Sequence, residues 1–367
     1  MAGEPRPKLG YRAELDGVRA IAVLLVLVWH SYLLGVTRPI AGFLGVDVFF
    51  VLSGYLITSL LVEENASSGS IRVAAFYGRR VLRLTPALLL LLGLGWIASS
   101  RTVAAMRYSR EALVTAFSGA NWFYDRLSVL IHTWSLSIEV QYYVVWPLVL
   151  IAALKAGVSR RRLAWATIAI AIAVGVVRTT MYGELDGAAL NAYRTYGHLD
   201  ALMLGNALAL APDLWEWTRR RAVAIAALVV FGGIVLLQLA YEPTFDPRAV
   251  YFRGLFSIFV LAVAILVAHI TRRPGPLTSF LAHRSLATVG RVSYGLYLFH
   301  IPIFVIVASW TTRNVVSLPL GWALTFAAAV FSYTLVERPA LDLKSRLVPR
   351  GREHVPPWEG ARLGEET

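Results

Sequence analysis

The sequence predicts an all-α, polytopic membrane protein of about ten transmembrane helices, bundled around a central cavity. Three observations carry this prediction. Of 367 residues, 57% are hydrophobic and only 16% charged, with a mean hydropathy of +0.62, a balance that excludes a soluble globular domain. Apolar stretches long enough to cross a bilayer recur from residue 20 to residue 336. Between them lie short basic blocks, SRRR (159–162), TRRR (218–221) and TRR (271–273). A net charge of +13 would suggest nucleic acid in a soluble chain; distributed this way it reads as membrane topology and snorkelling anchors, and no nucleic-acid partner is expected.

The candidate spans lie near 20–36, 42–62, 84–100, 133–154, 163–178, 196–212, 222–240, 251–270, 289–310 and 318–336. With the N-terminus in the cytosol, most of the 35 Lys and Arg residues fall on the inner side, which predicts both termini inside. No cleavable signal pattern precedes the first span. Two spans are weak because they carry polar groups: Asp47 in 42–62, and His198, Asp200 and Asn206 in 196–212. Polar spans of this kind belong inside a bundle that encloses a cavity. The stretch 101–132, with Asn121, Trp122 and Tyr124, is too polar to span and reads as a re-entrant or surface loop on the outer side. Residues 1–338 form the transmembrane domain, and 339–367 read as a basic, disordered cytoplasmic tail. Cysteine is absent, which removes disulfides, thiolate nucleophiles and cysteine-based metal sites; no metal is expected.

Chemistry must therefore come from other side chains. His30 sits eleven residues past Arg19 in the first span, close to three helical turns, so both project from nearly one face about 16 Å apart. Asp16, three residues before Arg19, is placed to pair with it. Asp47 lies about 7 Å inside the outer surface, and Glu139 enters from the same side to a comparable depth. His132, Ser135, Glu139, Tyr142 and Trp146 fall on one helical stripe, which would line a cavity. Two carboxylates and an imidazole in the outer half of one bundle suit a general base and its orienter, or equally a transporter's proton relay. At the inner mouth, Arg79, Arg80 and Arg83 cluster within one turn before Pro86. They serve topology, or they grip phosphates through the guanidinium fork.

Several long motifs carry a family resemblance: LDGVRAIAV with His30 beyond it, GFLGVDVFFVLSGYLIT, FYGRRVLRLTP, HTWSLSIEVQYYVVWP and SYGLYLFHIP. In these motifs the chain resembles the acyltransferase-3 family, polytopic membrane proteins that O-acylate bacterial surface glycans and some secreted natural products. The resemblance covers most of the chain. It implies a ten-helix core that passes an acyl group, acetyl first, from cytosolic acyl-CoA to an acceptor hydroxyl, within a bacterial inner membrane. It also implies functional roles for Arg19 and His30, for Arg80 and Arg83, and for Ser135 and Glu139. Many relatives carry an SGNH hydrolase-like domain after the last helix. None follows in this sequence, so transfer is expected to finish in the membrane core or on another protein.

Residues and resemblance together give a catalytic set of His30, Glu139 and Asp47, with Glu139 or Asp47 orienting His30. The substrate-binding set is Arg19, Arg79, Arg80, Arg83, Ser135, Trp134 and Asp200. Tyr294, Tyr297 and His300 read as packing and cavity lining. A carbohydrate hydroxyl is the first acceptor, a macrolide or other secondary metabolite the second. A proton-coupled transporter is disfavoured by the lack of internal repeats, and a flippase-like component of glycan export is the remaining non-enzyme reading.

Overall fold

The computed structural model describes residues 10–37, 40–99, 105–123, 129–180, 193–240, 251–311 and 313–347. Among these residues the only regular elements are helices. They run α1 (Ala13–His30), α2 (Gly45–Ser68), α3 (Val73–Ser99), α4 (Ala105–Ala116), α5 (Thr133–Lys155), α6 (Arg160–Thr180), α7 (Leu199–Leu210), α8 (Arg221–Leu237), α9 (Phe256–Arg272), α10 (Pro276–Leu281), α11 (Arg284–Arg291), α12 (Ser293–Trp310), α13 (Asn314–Ser332) and α14 (Arg338–Leu347).

Seven helical segments are long and apolar enough to cross a membrane. They correspond to the expected spans at 20–36, 42–62, 84–100, 133–154, 163–178, 289–310 and 318–336. The 222–240 span is α8, which meets the 3-10 segment Pro212–Arg219 at a 90° bend. The remaining two, 196–212 and 251–270, are the shorter apolar helices α7 and α9. Large apolar side chains stay on the outer faces, among them Leu89 and Ile97 of α3, Ile172 of α6 and Val229 of α8. Outward-facing aliphatic residues are expected where the surrounding medium is lipid.

Two sequence expectations need correction. The 101–132 stretch is not all loop: Ala105–Ala116 form α4, which folds back on α3 with the buried Tyr108 hydroxyl at 3.3 Å from the Leu92 carbonyl. Asn121 is fully buried, accepting from Gln141 Nε2 at 2.9 Å and donating to Thr195 Oγ1 at 3.0 Å. An amphipathic helix was hidden there by its polar face, while Tyr124 lies outside the described residues. The tail expected from 339 opens as helix α14, packed against α3 and the π-helical turn Tyr333–Glu337. Residues 348–367 lie outside the described residues.

The packing centre is the α2–α7 contact, where Gly54 meets the Leu202 carbonyl and Gly205 meets the Val51 carbonyl with no room for a Cβ. Small residues bring the two backbones together, as in membrane helix pairs generally. That approach lets Thr58 and Tyr142 bond the side-chain amide of the buried Asn206 at 2.8 and 2.6 Å. Trp146 Nε1 donates to Thr58 Oγ1 at 2.8 Å. Replacing Gly205 by leucine should therefore force α2 and α7 apart. Overpacking of this kind costs about 1–3 kcal/mol, to be read as a lowered unfolding midpoint and a smaller monodisperse fraction in detergent.

A second tie is ionic. Arg178 of α6 makes a two-pronged contact with Asp200 of α7 at 3.1 and 2.6 Å, also donates to Ser257 Oγ at 2.7 Å, and lies over the Phe256 ring at 4.3 Å. Asp47 of α2 pairs with His198 Nδ1 at 2.7 Å. These contacts join α2, α6, α7 and α9 on one side of the bundle, leaving α1, α2, α3, α5 and α12 to frame the cavity.

Candidate active site

The cavity is lined from α1 by Arg19, from α2 by Phe49 and Ser53, from α3 by Arg80 and Arg83, from α5 by Ser135, Glu139 and Tyr143, and from α12 by Ser293, Tyr294 and Tyr297, with apolar residues between. Its volume is about 90 Å³, small beside the roughly 300–1,000 Å³ usual for small-molecule sites.

One end is guanidinium-rich. Arg80 and Arg83 are three residues apart, so they share the cavity-facing side of α3. The Arg80 guanidinium lies 5.3 and 5.4 Å from the Phe76 and Tyr143 ring centres. Arg19 pairs with Asp16 at 2.8 Å, as the sequence spacing suggested, and still lines the cavity. Arg79 does not join them. It points to the end of α2, where its guanidinium reaches Glu64 at 3.5 Å beside the Arg72–Glu64 pair at 3.1 Å. One residue along a helix turns a side chain by about 100°, enough to separate Arg79 from Arg80.

Glu139 forms the middle of the cavity. The hydroxyls of Ser53 and Tyr143 both donate to its Oε1, so Oε2 remains for the cavity it lines. Nearby, Ser135 Oγ and Tyr297 Oη are 2.6 Å apart, and Tyr297 Oη donates to the His132 carbonyl at 2.7 Å. The stripe inferred for this helix divides in two: Ser135 and Glu139 face the cavity, while Tyr142 and Trp146 turn to Asn206 and Thr58.

At the other end of α1 stands His30. Its Nδ1 lies 2.9 Å from the Val26 carbonyl and 3.3 Å from His300 Nε2. The His30 and His300 rings are 4.9 Å apart, and His132 packs edge-on to His300 at 5.2 Å. The expectation that Glu139 or Asp47 orients His30 is therefore corrected: Glu139 is held by Ser53 and Tyr143, and Asp47 by His198. Residue count sets a side chain's height along a helix but not its rotation about the axis, and each carboxylate turns to a different partner. Trp134 likewise packs against His198 and Tyr193, at 4.8 and 5.3 Å, and Asp200 against Arg178; neither lines the cavity. Among the described residues no group of three or more His, Asp or Glu side chains forms a metal cage.

Sequence reasoning passed over Ser53 and Tyr143 as site members, and His300 as the neighbour of His30; Tyr294 and Tyr297 line the cavity as expected. The signal for the α12 residues was present in SYGLYLFHIP, where Tyr294, Tyr297 and His300 recur every three residues, a spacing that keeps them near one helical face. Ser53 had no such signal.

A helical membrane bundle with a guanidinium-flanked cavity, a half-buried carboxylate in its wall and, outside the lining, an imidazole at the end of α1 has the parts of a membrane group-transfer protein. The acyltransferase domain of the acyltransferase-3 family matches residues 12–337, and the chain belongs to that family. It is 30% identical over 351 residues to the O-acetyltransferase OatA of Staphylococcus aureus strain NCTC 8325, covering 90% of this chain and 57% of the relative. The putative peptidoglycan O-acetyltransferase YrhL of Bacillus subtilis strain 168 is 29% identical over 355 residues, covering 90% of this chain and 55% of that protein. The putative O-acetyltransferase SAR0937 of Staphylococcus aureus strain MRSA252 is 28% identical over 375 residues, covering 94% and 60%. The chain thus spans somewhat over half the length of these relatives. No solved structure matches it.

Proposed function

We propose that this protein transfers an acyl group, acetyl first, from cytosolic acyl-CoA to a hydroxyl of a carbohydrate or glycosylated acceptor. The observation that carries the reading is the single cavity joining Arg19, Arg80 and Arg83 to the Ser53–Glu139–Tyr143 and Ser135–Tyr297 clusters. In this reading the arginine end opens to the cytosol of a bacterial cell, with both termini on that side, and the guanidinium groups hold the donor phosphates. The relatives named for O-acetylation, one of them for peptidoglycan, support a glycan hydroxyl as acceptor over a secondary metabolite.

The residues divide the work. Val26 accepts the Nδ1 proton of His30, which leaves the Nε2 lone pair as the base. In this reading the thioester passes beyond the cavity lining to His30, which takes the proton from the acceptor hydroxyl; the oxygen attacks the thioester carbon, a C–O bond forms and the C–S bond breaks. The proton on His30 then returns to the departing thiolate. Ser53 and Tyr143 fix the Glu139 carboxylate, and its free oxygen gives the cavity a hydrogen-bond acceptor between the arginines and the reacting groups.

The purified full chain in lipid nanodiscs, given acetyl-CoA with and without a glycan acceptor, should release free CoA in step with acetylated acceptor. CoA release without any acceptor product would remove the transferase reading. Arg83→Ala should raise the KM for acetyl-CoA by roughly 10–100-fold, the worth of one charge-assisted hydrogen bond. Turnover at saturation should change less, since the phosphate is far from the reacting carbonyl. An unchanged KM in the Arg80/Arg83 double alanine variant would take these side chains out of the donor site.

A further inference from the structure

We infer that His300, outside the donor cavity, is the positioning residue of His30: its neutral Nε2 accepts from His30 Nδ1, holds the base in its active tautomer and stabilises the imidazolium formed when His30 takes a proton. The inference rests on the proposed acyl transfer for its kinetic part and on geometry alone for its structural part.

The tautomers follow from the acceptors. A carbonyl oxygen can only accept, so a ring nitrogen beside one must carry a proton. His300 Nδ1 is 2.6 Å from the Tyr297 carbonyl, which puts its proton there and leaves a lone pair on Nε2. That lone pair lies 3.3 Å from His30 Nδ1, whose proton already reaches the Val26 carbonyl at 2.9 Å. One N–H thus faces two acceptors, one from its own helix and one from α12. His30 Nε2 is left with the lone pair, on a ring that is partly exposed, whereas His300 is fully buried.

Hydrogen bonds to α12 hold His300 from behind. His132 Nε2 is 2.9 Å from the Leu298 carbonyl and so donates to it, and the adjoining Tyr297 carbonyl takes the His300 proton. Consecutive carbonyls of α12 thereby hold two imidazoles whose ring centres are 5.2 Å apart. The interior of α12 contains Pro302, which lacks an N–H and leaves the carbonyl four residues earlier, that of Leu298, without its helical donor. His132 supplies the missing bond. The Tyr297 hydroxyl meanwhile bonds the His132 carbonyl and Ser135. The wall of the cavity and the seat of His30 are therefore one connected structure. In the Ser-His-Asp arrangement a carboxylate takes the corresponding position behind the imidazole; here a neutral imidazole does so, adding no net charge in the bundle.

Three readouts test the assignment. First, His300→Ala should lower kcat by roughly 10–100-fold, the worth of one hydrogen bond to a group that becomes charged, while the KM for acetyl-CoA stays near that of the parent. Second, His300→Gln, whose side-chain oxygen can accept from His30 Nδ1, should restore most of the loss. In a His30→Ala background the His300→Ala change should cost nothing further, since a positioning residue has then nothing to position. Third, with ¹⁵N-labelled histidine in nanodiscs, His30 should show a protonated Nδ1 in the parent and a mixture of tautomers in His300→Ala. Undiminished kcat in His300→Ala, no recovery in His300→Gln, a further loss in the His30→Ala background, or an unchanged His30 spectrum would each overturn the proposal. A parent protein that transfers no acyl group would defeat the proposed function, while the ¹⁵N spectra would still decide the role of His300.

Discussion

His30→Ala is expected to lower acyl transfer by about 10²–10⁴-fold, the range over which a positioned base contributes, with little change in donor KM. Glu139→Gln keeps the shape of the side chain and removes its charge, so it too should lower turnover. The two losses should multiply. Residues that act as one unit show a double variant hardly worse than either single one, and the spacing in the sequence suggested such a unit. The structure gives Glu139 to Ser53 and Tyr143 and His30 to Val26 and His300, two separate sets of partners. Release of CoA, followed for both single variants and the double variant at saturating donor, decides the matter. A double variant no worse than His30→Ala would mean that the carboxylate works through the imidazole after all.

The largest loss of stability should come from the Arg178–Asp200 pair, with side chains only 1% and 3% exposed. Removing one partner of a buried pair strands the other charge, which costs about 3–5 kcal/mol. Asp200→Asn should therefore lower the unfolding midpoint in detergent sharply, and Arg178→Leu similarly. Replacing both by apolar residues of matched volume should recover much of the loss, because the stranded charge is gone. Equal instability in the single and double variants would show that the hydrogen bonds to Ser257 and the Gly197 carbonyl, rather than the charge pair, hold α6 to α7 and α9.

What could be read from the sequence divides by the physics involved. Apolar runs of bilayer length are local properties, so the membrane class and most spans were legible, and the stretch read as a weak span holds the short apolar helix α7 with its Asp200 and Asn206. Residues that share one helical face were legible too: Arg80 with Arg83, and Ser135 with Glu139. The failures lie where partners come from different helices. Glu139 meets a serine 86 residues away, and Ser135 a tyrosine 162 residues away, separations for which a single sequence carries no periodic signal. Asp47 and Glu139, expected at matching depths, take different partners, since height along a helix follows from residue count whereas azimuth follows from how neighbouring helices pack. The helix Ala105–Ala116 escaped because hydropathy averaged over a span-length window cannot see a short amphipathic element.

The size of the cavity has a consequence for timing. Under the proposed transfer, a space of about 90 Å³ would admit a pantetheine arm with its acyl group only if one wall yielded. The walls are unequal: 78% of the most apolar window of the α2 segment is buried, against 17% for α3. Among the seven long apolar segments of the described residues, the helix that carries Arg80 and Arg83 has the smallest buried share, and so the least protein packing to give up if it moves. Under the proposed acyl-CoA transfer, opening of a donor path along α3 would displace lipid rather than core side chains. The bilayer would then be part of the rate law, and turnover in nanodiscs should follow lipid acyl-chain length and order even where the affinity for donor does not.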